Sequence, residues 1–252
     1  MRLAWIPTAD WFLTVYAILF DIDGTLVSTG GAGQLAFAET FAAEFGVEQL
    51  SGKVPFAGRS DRAIASELMR VHGVDPHEEN WRRFRAGYLE RLPSALARKQ
   101  GRVLPGVVEL LREISAAGHP LVGLLTGNIR EGADHKLQHY GLAEHFSFGG
   151  FGDASADRNG IAAAALAEAQ RVANAEFAES RGLEVCELAG AMVIGDTVHD
   201  VTCARSIGAF AVAVPTGGAT REELAAAKPD LLLDDLSDAR PLLAEIERAL
   251  ER

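Results

Sequence analysis

The chain has 252 residues, 48% of them hydrophobic and 23% charged, enough apolar material for one core domain plus an insertion. Its net charge of −11, with no long basic run, argues against nucleic acid as a partner and means that any phosphorylated ligand must be attracted locally rather than at long range. The only cysteines, Cys186 and Cys203, sit in no redox or metal motif. That argues for core packing in a reducing, cytoplasmic setting rather than a disulfide scaffold.

Residues 1–13 form an apolar N-terminal extension broken by Pro7 and Asp10. Even joined to the strand that follows it is too interrupted for a membrane span, and it carries no small-residue cleavage site. The first strand is expected at 15–20. It runs directly into Asp21-Ile22-Asp23-Gly24-Thr25-Leu26. Two carboxylates spaced i, i+2 at the end of a buried strand are costly unless compensated, and a hard divalent cation is the usual compensation. The alternative is a polar strand end closed by an Asx-turn.

The stretch 27–104 shows no convincing strand. Gly31-Ala32-Gly33-Gln34-Leu35-Ala36 fits a dinucleotide-binding fingerprint, but ten residues separate it from the strand and no acidic residue closes a second strand beyond it. The glycines read instead as a hinge. Helical spacing places Ala38, Phe41, Ala42 and Phe45 on one face. Ser60 caps a second helix through Ile64, Leu68 and Val71, and Trp81, Phe84, Tyr88 and Leu92 line a third. The aromatic residues fit a small bundle core better than a ligand cage. In Gly58-Arg59-Ser60-Asp61 the glycine permits close backbone approach, and Arg59 and Ser60 suit an anion; a plain helix cap with an exposed arginine fits equally well.

From 105 onward strands and helices alternate. Val107, Val108, Leu110, Leu111 and Ile114 give a helix that stops at Gly118, and an alanine-rich helix is expected over 161–180. Strands are expected at 121–125, 146–148, 191–194 and 210–214, with an edge strand at 231–233. This pattern predicts an α/β fold, a Rossmann-like parallel sheet with helices on both faces. Ligands of such sheets bind at the carboxyl ends of the strands. Thr126-Gly127-Asn128 ends one strand, offering a hydroxyl and backbone N–H groups to a phosphate, although a helix cap is the commoner use of such a threonine. Gly195-Asp196 ends another, with Asp200 four residues on. A place in the first turn of a helix would account for Asp200; Asp196, at the strand tip like Asp21, has no such account.

The ordered set of Asp-x-Asp-Gly-Thr, a strand ending in threonine, and Gly-Asp-x-x-x-Asp resembles the haloacid dehalogenase-like hydrolase superfamily, over about residues 16–213. The resemblance implies a core of 14–26 and 105–252, with 27–104 as a helical cap that closes over the site. The Gly58–Asp61 stretch is similar to that of phosphoglycolate-phosphatase-like members. The family's third motif, usually lysine, has no lysine to supply it between Lys136 and Lys228. Arg158 is the candidate, its alternative being a solvated pair with Asp157. His72, His77, His119, His135, His139 and His145 show no ligand pattern; His199 flanks Asp200.

By that resemblance the chain is expected to hydrolyse a small phosphorylated metabolite. Asp21 would attack phosphorus, and Asp23 would serve as acid and base. Thr126, Gly127, Asn128, Arg158 and Arg59 would hold the phosphoryl group or substrate. Mg²⁺ would be held by Asp21, Asp23 (through its carbonyl), Asp196 and Asp200. A monomer or homodimer is expected, with no membrane partner. A phosphomutase shares every core residue, and a non-enzymatic phosphate- or metal-binding regulator could use the same fold. A dehalogenase would lack Asp23. A phosphonatase would need a cap lysine in a recognisable motif, and neither Lys53 nor Lys99 supplies one.

Overall fold

The computed structural model describes residues 14–117, 120–153, 155–178 and 186–250. The N-terminal extension, Gly118 and His119 lie outside them. The core is a six-stranded parallel sheet. Its strands are β1 (Thr14–Phe20), β4 (Leu121–Leu125), β5 (Gly149–Gly150), β6 (Glu187–Gly195), β7 (Phe210–Ala213) and β8 (Leu231–Leu232), in the order β5-β4-β1-β6-β7-β8. A separate antiparallel ribbon pairs β2 (Val27–Ser28) with β3 (Arg102–Val103).

Strand periodicity splits β1 between two cores. Tyr16, Ile18 and Phe20 face one side, with Val107, Leu110, Leu111 and Ile114 of α4 (Val107–Ala117) and Leu242 and Ile246 of α9 (Arg240–Leu250). Val15, Ala17 and Leu19 face the other, with Ala162, Ala165 and Ala169 of α6 (Arg158–Ala173) and Val201 and Ala204 of α7 (Val198–Ser206). The small side chains of α6 let that helix lie close to the sheet. The remaining core helices are α5 (Arg130–His139) and α8 (Arg221–Ala226). Covering both faces buries every position of β1 from Val15 to Phe20 in apolar surroundings, as expected of a doubly covered parallel strand.

Most expected strands stand within a residue or two, with three differences. β6 begins at Glu187, earlier than its apolar run suggests. The strand expected at 146–148 lies instead at Gly149–Gly150, where Leu124 and Leu125 pair with the two glycines; strand propensity pointed to the phenylalanines, but backbone pairing falls on the residues that fit against α6. The β2/β3 ribbon was not expected, because two-residue strands carry no periodicity. The expected helix at 161–180 starts at Arg158, ends at Ala173 and passes into a π-turn, Asn174–Ala178; residues 179–180 lie outside the described part.

Between the two ribbon strands the chain forms three helices: α1 (Ala32–Phe45), α2 (Asp61–Val71) and α3 (Glu78–Arg98). They share a third core containing Phe37, Phe41, Ile64, Leu68, Trp81, Phe84, Tyr88 and Leu92. The face expected on α1 is rotated. Phe37 and Phe41 are buried while Ala42 is exposed, because the Phe37 ring, 4.7 Å from Phe84 and 5.0 Å from Tyr88, fixes the orientation that small alanines cannot. On α2 the apolar stripe runs through Ile64, Ala65, Leu68 and Met69, leaving Val71 52% exposed. The aromatic run of α3 is bundle core, as expected.

Phe84 is fully buried against Phe37, Phe41, Trp81 and Tyr88. Phe84→Ala is expected to cost about 3–5 kcal/mol of stability, measured by chemical denaturation. A loss below about 1 kcal/mol would contradict a packed bundle core.

Candidate active site

The parallel registers set the site. Phe20 lies opposite Leu124 on β4 and Ile194 on β6. One residue on, Asp21 leaves β1 with its N–H still donating to the Ile194 carbonyl at 3.0 Å. Thr126 and Asp196 follow the ends of the two flanking strands. Three strands thus deliver Asp21, Thr126 and Asp196 to one place without any long side chain reaching for it. The loop after Asp21 curls back, with Gly24, Leu26 and Val27 N–H groups donating to Val27 and Ile22 carbonyls. Gly24 has φ +88°, and a Cβ there would lie 2.6 Å from the Asp196 carboxyl carbon and 2.8 Å from Gly217 Cα. Only glycine fits this turn.

Oxygens of Asp21, Asp196 and Asp200 lie within 4.8 Å of one another, and all three residues are buried. Burial, then the charge of Asp200, pushes Asp21 well above the ordinary carboxylate range, with Arg158 pulling against them. Burial and Asp200 raise Asp196 to about 7, although the Gly218 N–H donates to its Oδ2 at 2.6 Å. Asp200 is more fully engaged. Its Oδ2 accepts from the Thr197 N–H at 3.0 Å and the Thr197 hydroxyl at 2.6 Å, closing the capping box of α7, and its Oδ1 accepts from Arg158. One side chain therefore both closes the helix cap and joins the carboxylate cluster.

Arg158 stands at the first residue of α6. The N-cap is Asp157, whose oxygens accept from the Asn159 and Gly160 N–H groups, both at 3.2 Å. Arg158 is not paired with Asp157: its guanidinium is buried, bonded to Asp200 and 3.9 Å from Asp21. Burial opposes its charge, but Asp200 and Asp21 outweigh burial and hold its pKa above the usual arginine value.

Thr126 Oγ1 accepts from the Asn128 N–H at 3.3 Å and from Asn128 Nδ2 at 2.7 Å. Asn128 Nδ2 also donates to Asp23 Oδ2 at 2.8 Å. The Asp23 carboxylate stands apart from the Asp21–Asp196–Asp200 group and is 41% exposed. The site residue that sequence reading missed is Lys136. Its Nζ donates to Asp23 Oδ2 and to Asn128 Oδ1, each at 2.5 Å. The signal was present but quiet: α5 buries Gly132, Ala133, Lys136 and Leu137, so a lysine occupies a core-facing helical position.

The helical insert closes one side. At Gly127 a Cβ would lie 3.0 Å from Ser60 Cα and closer still to the Arg59 carbonyl, and the Asp61 N–H donates to the Gly127 carbonyl at 2.7 Å. Asp61 in turn accepts from the Ile129 N–H at 2.8 Å; burial, only partly offset by Lys136 and that N–H, raises it to about 6. Ser60 caps α2, accepting from the Ala63 N–H at 3.3 Å. Arg59 lines the cavity and pairs with Glu67 at 2.6 Å, so the helix cap at Ser60 stands as expected while the arginine is half-buried and ion-paired rather than exposed. His199 is exposed, its ring against Gly58. Arg130 lies 4.0 Å over the Phe151 ring. Asp21, Asp23, Thr126, Lys136, Arg158 and Asp196 all line one cavity of about 410 Å³, a size for a small ligand.

The haloacid dehalogenase-like hydrolase family profile matches residues 18–205. The chain belongs to that family. It is an enzyme, a hydrolase. It is 30% identical to a phosphoglycolate phosphatase from Synechococcus elongatus over 240 residues, covering 92% of this chain and 99% of the relative. It is 24% identical to the pyrophosphatase PpaX from Bacillus cereus, covering 94% and 100%. The crystal structure of CbbY from Rhodobacter sphaeroides in complex with phosphate superimposes with a TM-score of 0.67 at 23% identity, covering 90% of this chain and 96% of that one. No helix among the described residues is long and apolar enough to cross a membrane.

Two measurements follow. Asp196 titrates near 7 when folded against 3.8 as its ordinary value. Its contribution to stability is therefore complete below about pH 4 and lost as pH rises to 7. A divalent cation needs the ionised form and reverses that loss. Added Mg²⁺ is expected to raise the melting temperature of chelator-treated protein more at pH 7.5 than at pH 5; no shift at either pH contradicts the cluster as a cation site. For Arg158, removal strands Asp200 and Asp21. Arg158→Ala is expected to lower kcat for phosphate-ester hydrolysis by roughly 10²- to 10³-fold, with Arg158→Lys recovering part. Wild-type kcat in the alanine variant would reduce Arg158 to a helix-start residue.

Proposed function

We propose that this hydrolase removes the phosphoryl group from a small phosphate monoester in two steps, through an aspartyl phosphate on Asp21, with Mg²⁺ as cofactor. The observation that carries this reading is the meeting of Asp21, Asp196 and Arg158 in the lining of one small cavity, with Asp200 buried against Arg158 and completing the carboxylate cluster. Relatives named phosphoglycolate phosphatase and pyrophosphatase support phosphoryl chemistry.

The donor set fits a hard divalent cation. It consists of carboxylate oxygens without sulfur or imidazole, which suits magnesium over zinc, and the raised pKa values of Asp21 and Asp196 reflect burial first and the neighbouring charge of Asp200 second, both of which such an ion would offset. Asp21 and Asp196 would hold it with the Asp23 carbonyl, and Asp200 would orient the set while gripping Arg158. Bound there, the ion supplies charge neutralisation between nucleophile and phosphate.

In the first step an Asp21 oxygen attacks phosphorus. The bond from phosphorus to the ester oxygen breaks, its electron pair leaves with that oxygen, and Asp23 protonates it. In the second, a water attacks the aspartyl phosphate while Asp23 takes its proton, and Asp21 is released with inorganic phosphate. Thr126, the backbone at Gly127 and Asn128, and Arg158 hold the phosphoryl oxygens as their charge develops. Arg59 stands on the cap side toward the rest of the substrate. The insert at 27–104 acts as the cap, and its contacts at Gly127 limit water in the site. A cytoplasmic setting suits the two buried cysteines.

Asp21→Asn is expected to abolish turnover of aryl phosphates without loss of fold, checked by circular dichroism. Asp23→Asn is expected to slow esters of poor leaving groups by roughly 10²- to 10⁴-fold and activated aryl esters far less. Substantial activity in folded Asp21→Asn protein would overturn the covalent route.

A further inference from the structure

Lys136 has an unusual place for a lysine. It sits on the core-facing side of α5 with its side chain 4% exposed. A buried ammonium is tolerated only with partners, and here both partners belong to the site. Helical side chains lean toward the helix N-terminus, so four methylenes carry Nζ back toward the loop that opens α5. There it meets Asn128 Oδ1 and Asp23 Oδ2, each at 2.5 Å.

The consequence is asymmetric for Asp23. Its Oδ2 accepts from both Lys136 Nζ and Asn128 Nδ2. Asn128 is itself fixed, because its Nδ2 also donates to the buried Thr126 hydroxyl at 2.7 Å. Lys136, Asn128 and Thr126 therefore form one clamp on one oxygen of a side chain that is otherwise 41% exposed to the cavity. Oδ1 is the oxygen left to meet a ligand. Without the clamp a two-torsion carboxylate at that exposure would sample several rotamers.

The space beside the clamp is kept open. A Cβ on Gly33 of α1 would lie 3.8 Å from Lys136 Nζ and 3.9 Å from Tyr88 Oη. Tyr88 is fully buried, lines the cavity, and its hydroxyl has no partner among the described residues. An ammonium has three donors, and two of those on Lys136 are engaged by the protein. A lysine N–H and a tyrosine hydroxyl thus border one gap beside Asp23.

We propose that Lys136 is a positioning residue for this reaction: with Asn128 it locks Asp23 so that one defined oxygen meets the leaving group in the gap bordered by Tyr88. This rests on the phosphatase reading. Arg158 and Lys136 then have separate tasks. Arg158 balances the nucleophile's side, and Lys136 orients the acid on the leaving-group side.

The test is a series of substituted phenyl phosphates, from p-nitrophenyl to unsubstituted phenyl, assayed with saturating Mg²⁺. The readout is the dependence of kcat/KM on leaving-group acidity. Lys136→Met is expected to steepen that dependence, with a loss approaching about 10²-fold on phenyl phosphate and a much smaller one on p-nitrophenyl phosphate. Asp23→Asn should steepen it at least as much. The double variant should be no worse than Asp23→Asn alone, because Lys136 acts through Asp23. Lys136→Arg, which retains the charge and keeps the assay possible if the methionine variant does not fold, should give an intermediate slope. A wild-type slope in either folded Lys136 variant, or losses that multiply in the double variant, overturns the assignment while leaving the phosphatase reading intact. Absence of any turnover by the wild-type enzyme would overturn both.

Discussion

The site depends on one constraint: carboxylates that repel one another are held together out of water. Asp21, Asp196 and Asp200 are each less than a tenth exposed and close enough to share a single ligand. Isolated buried charges of one sign are among the costliest arrangements a fold can hold. The rest of the local structure offsets that cost. Arg158 spans Asp200 and Asp21, the Gly218 N–H serves Asp196, and Thr197 serves Asp200. What these partners leave unbalanced is negative charge, which a divalent cation would offset. The parallel sheet makes this possible, because adjacent strands end side by side and their tips need no flexible reach.

The helical insert meets this charged floor through backbone rather than through long side chains. Gly127 admits the Arg59–Ser60 backbone, and Asp61 binds the loop at two points, accepting from Ile129 and donating to Gly127. The β2/β3 ribbon brings the two ends of the insert together beside the site. The insert is thereby seated on the same loop that carries Thr126 and Asn128, so under the proposed function substrate enclosure and phosphoryl binding would share their anchoring residues.

The strand-tip residues were legible in the sequence because their signal is local. An apolar run ending in Asp-x-Asp-Gly or Gly-Asp states both the strand and what stands at its end, and Asp21, Thr126 and Asp196 converge as expected. Arg158 was legible as the only cation well placed in the interval, yet its buried bond to Asp200 depends on how α6 and α7 pack. Lys136 was illegible for a different reason. Its meaning lies in the rotation of α5, which sets a lysine against Asp23 from 113 residues away. Helix faces in the insert suffered the same ambiguity: with alanines at many positions of α1, only the Phe37 stack decides the rotation. Gly149–Gly150 carries no strand propensity at all and is a strand because β4 offers a partner.

The central claim is that Asp21, alone among these crowded carboxylates, takes the phosphoryl group. Rapid quench of the enzyme with p-nitrophenyl phosphate and Mg²⁺, followed by borohydride reduction and peptide mass spectrometry, tests it directly, because an acyl phosphate is reduced where an ordinary carboxylate is not. The account predicts conversion of Asp21 to homoserine, dependent on both substrate and Mg²⁺. Conversion of Asp23, Asp196 or Asp200 instead, or turnover with no carboxylate reduced, would contradict it.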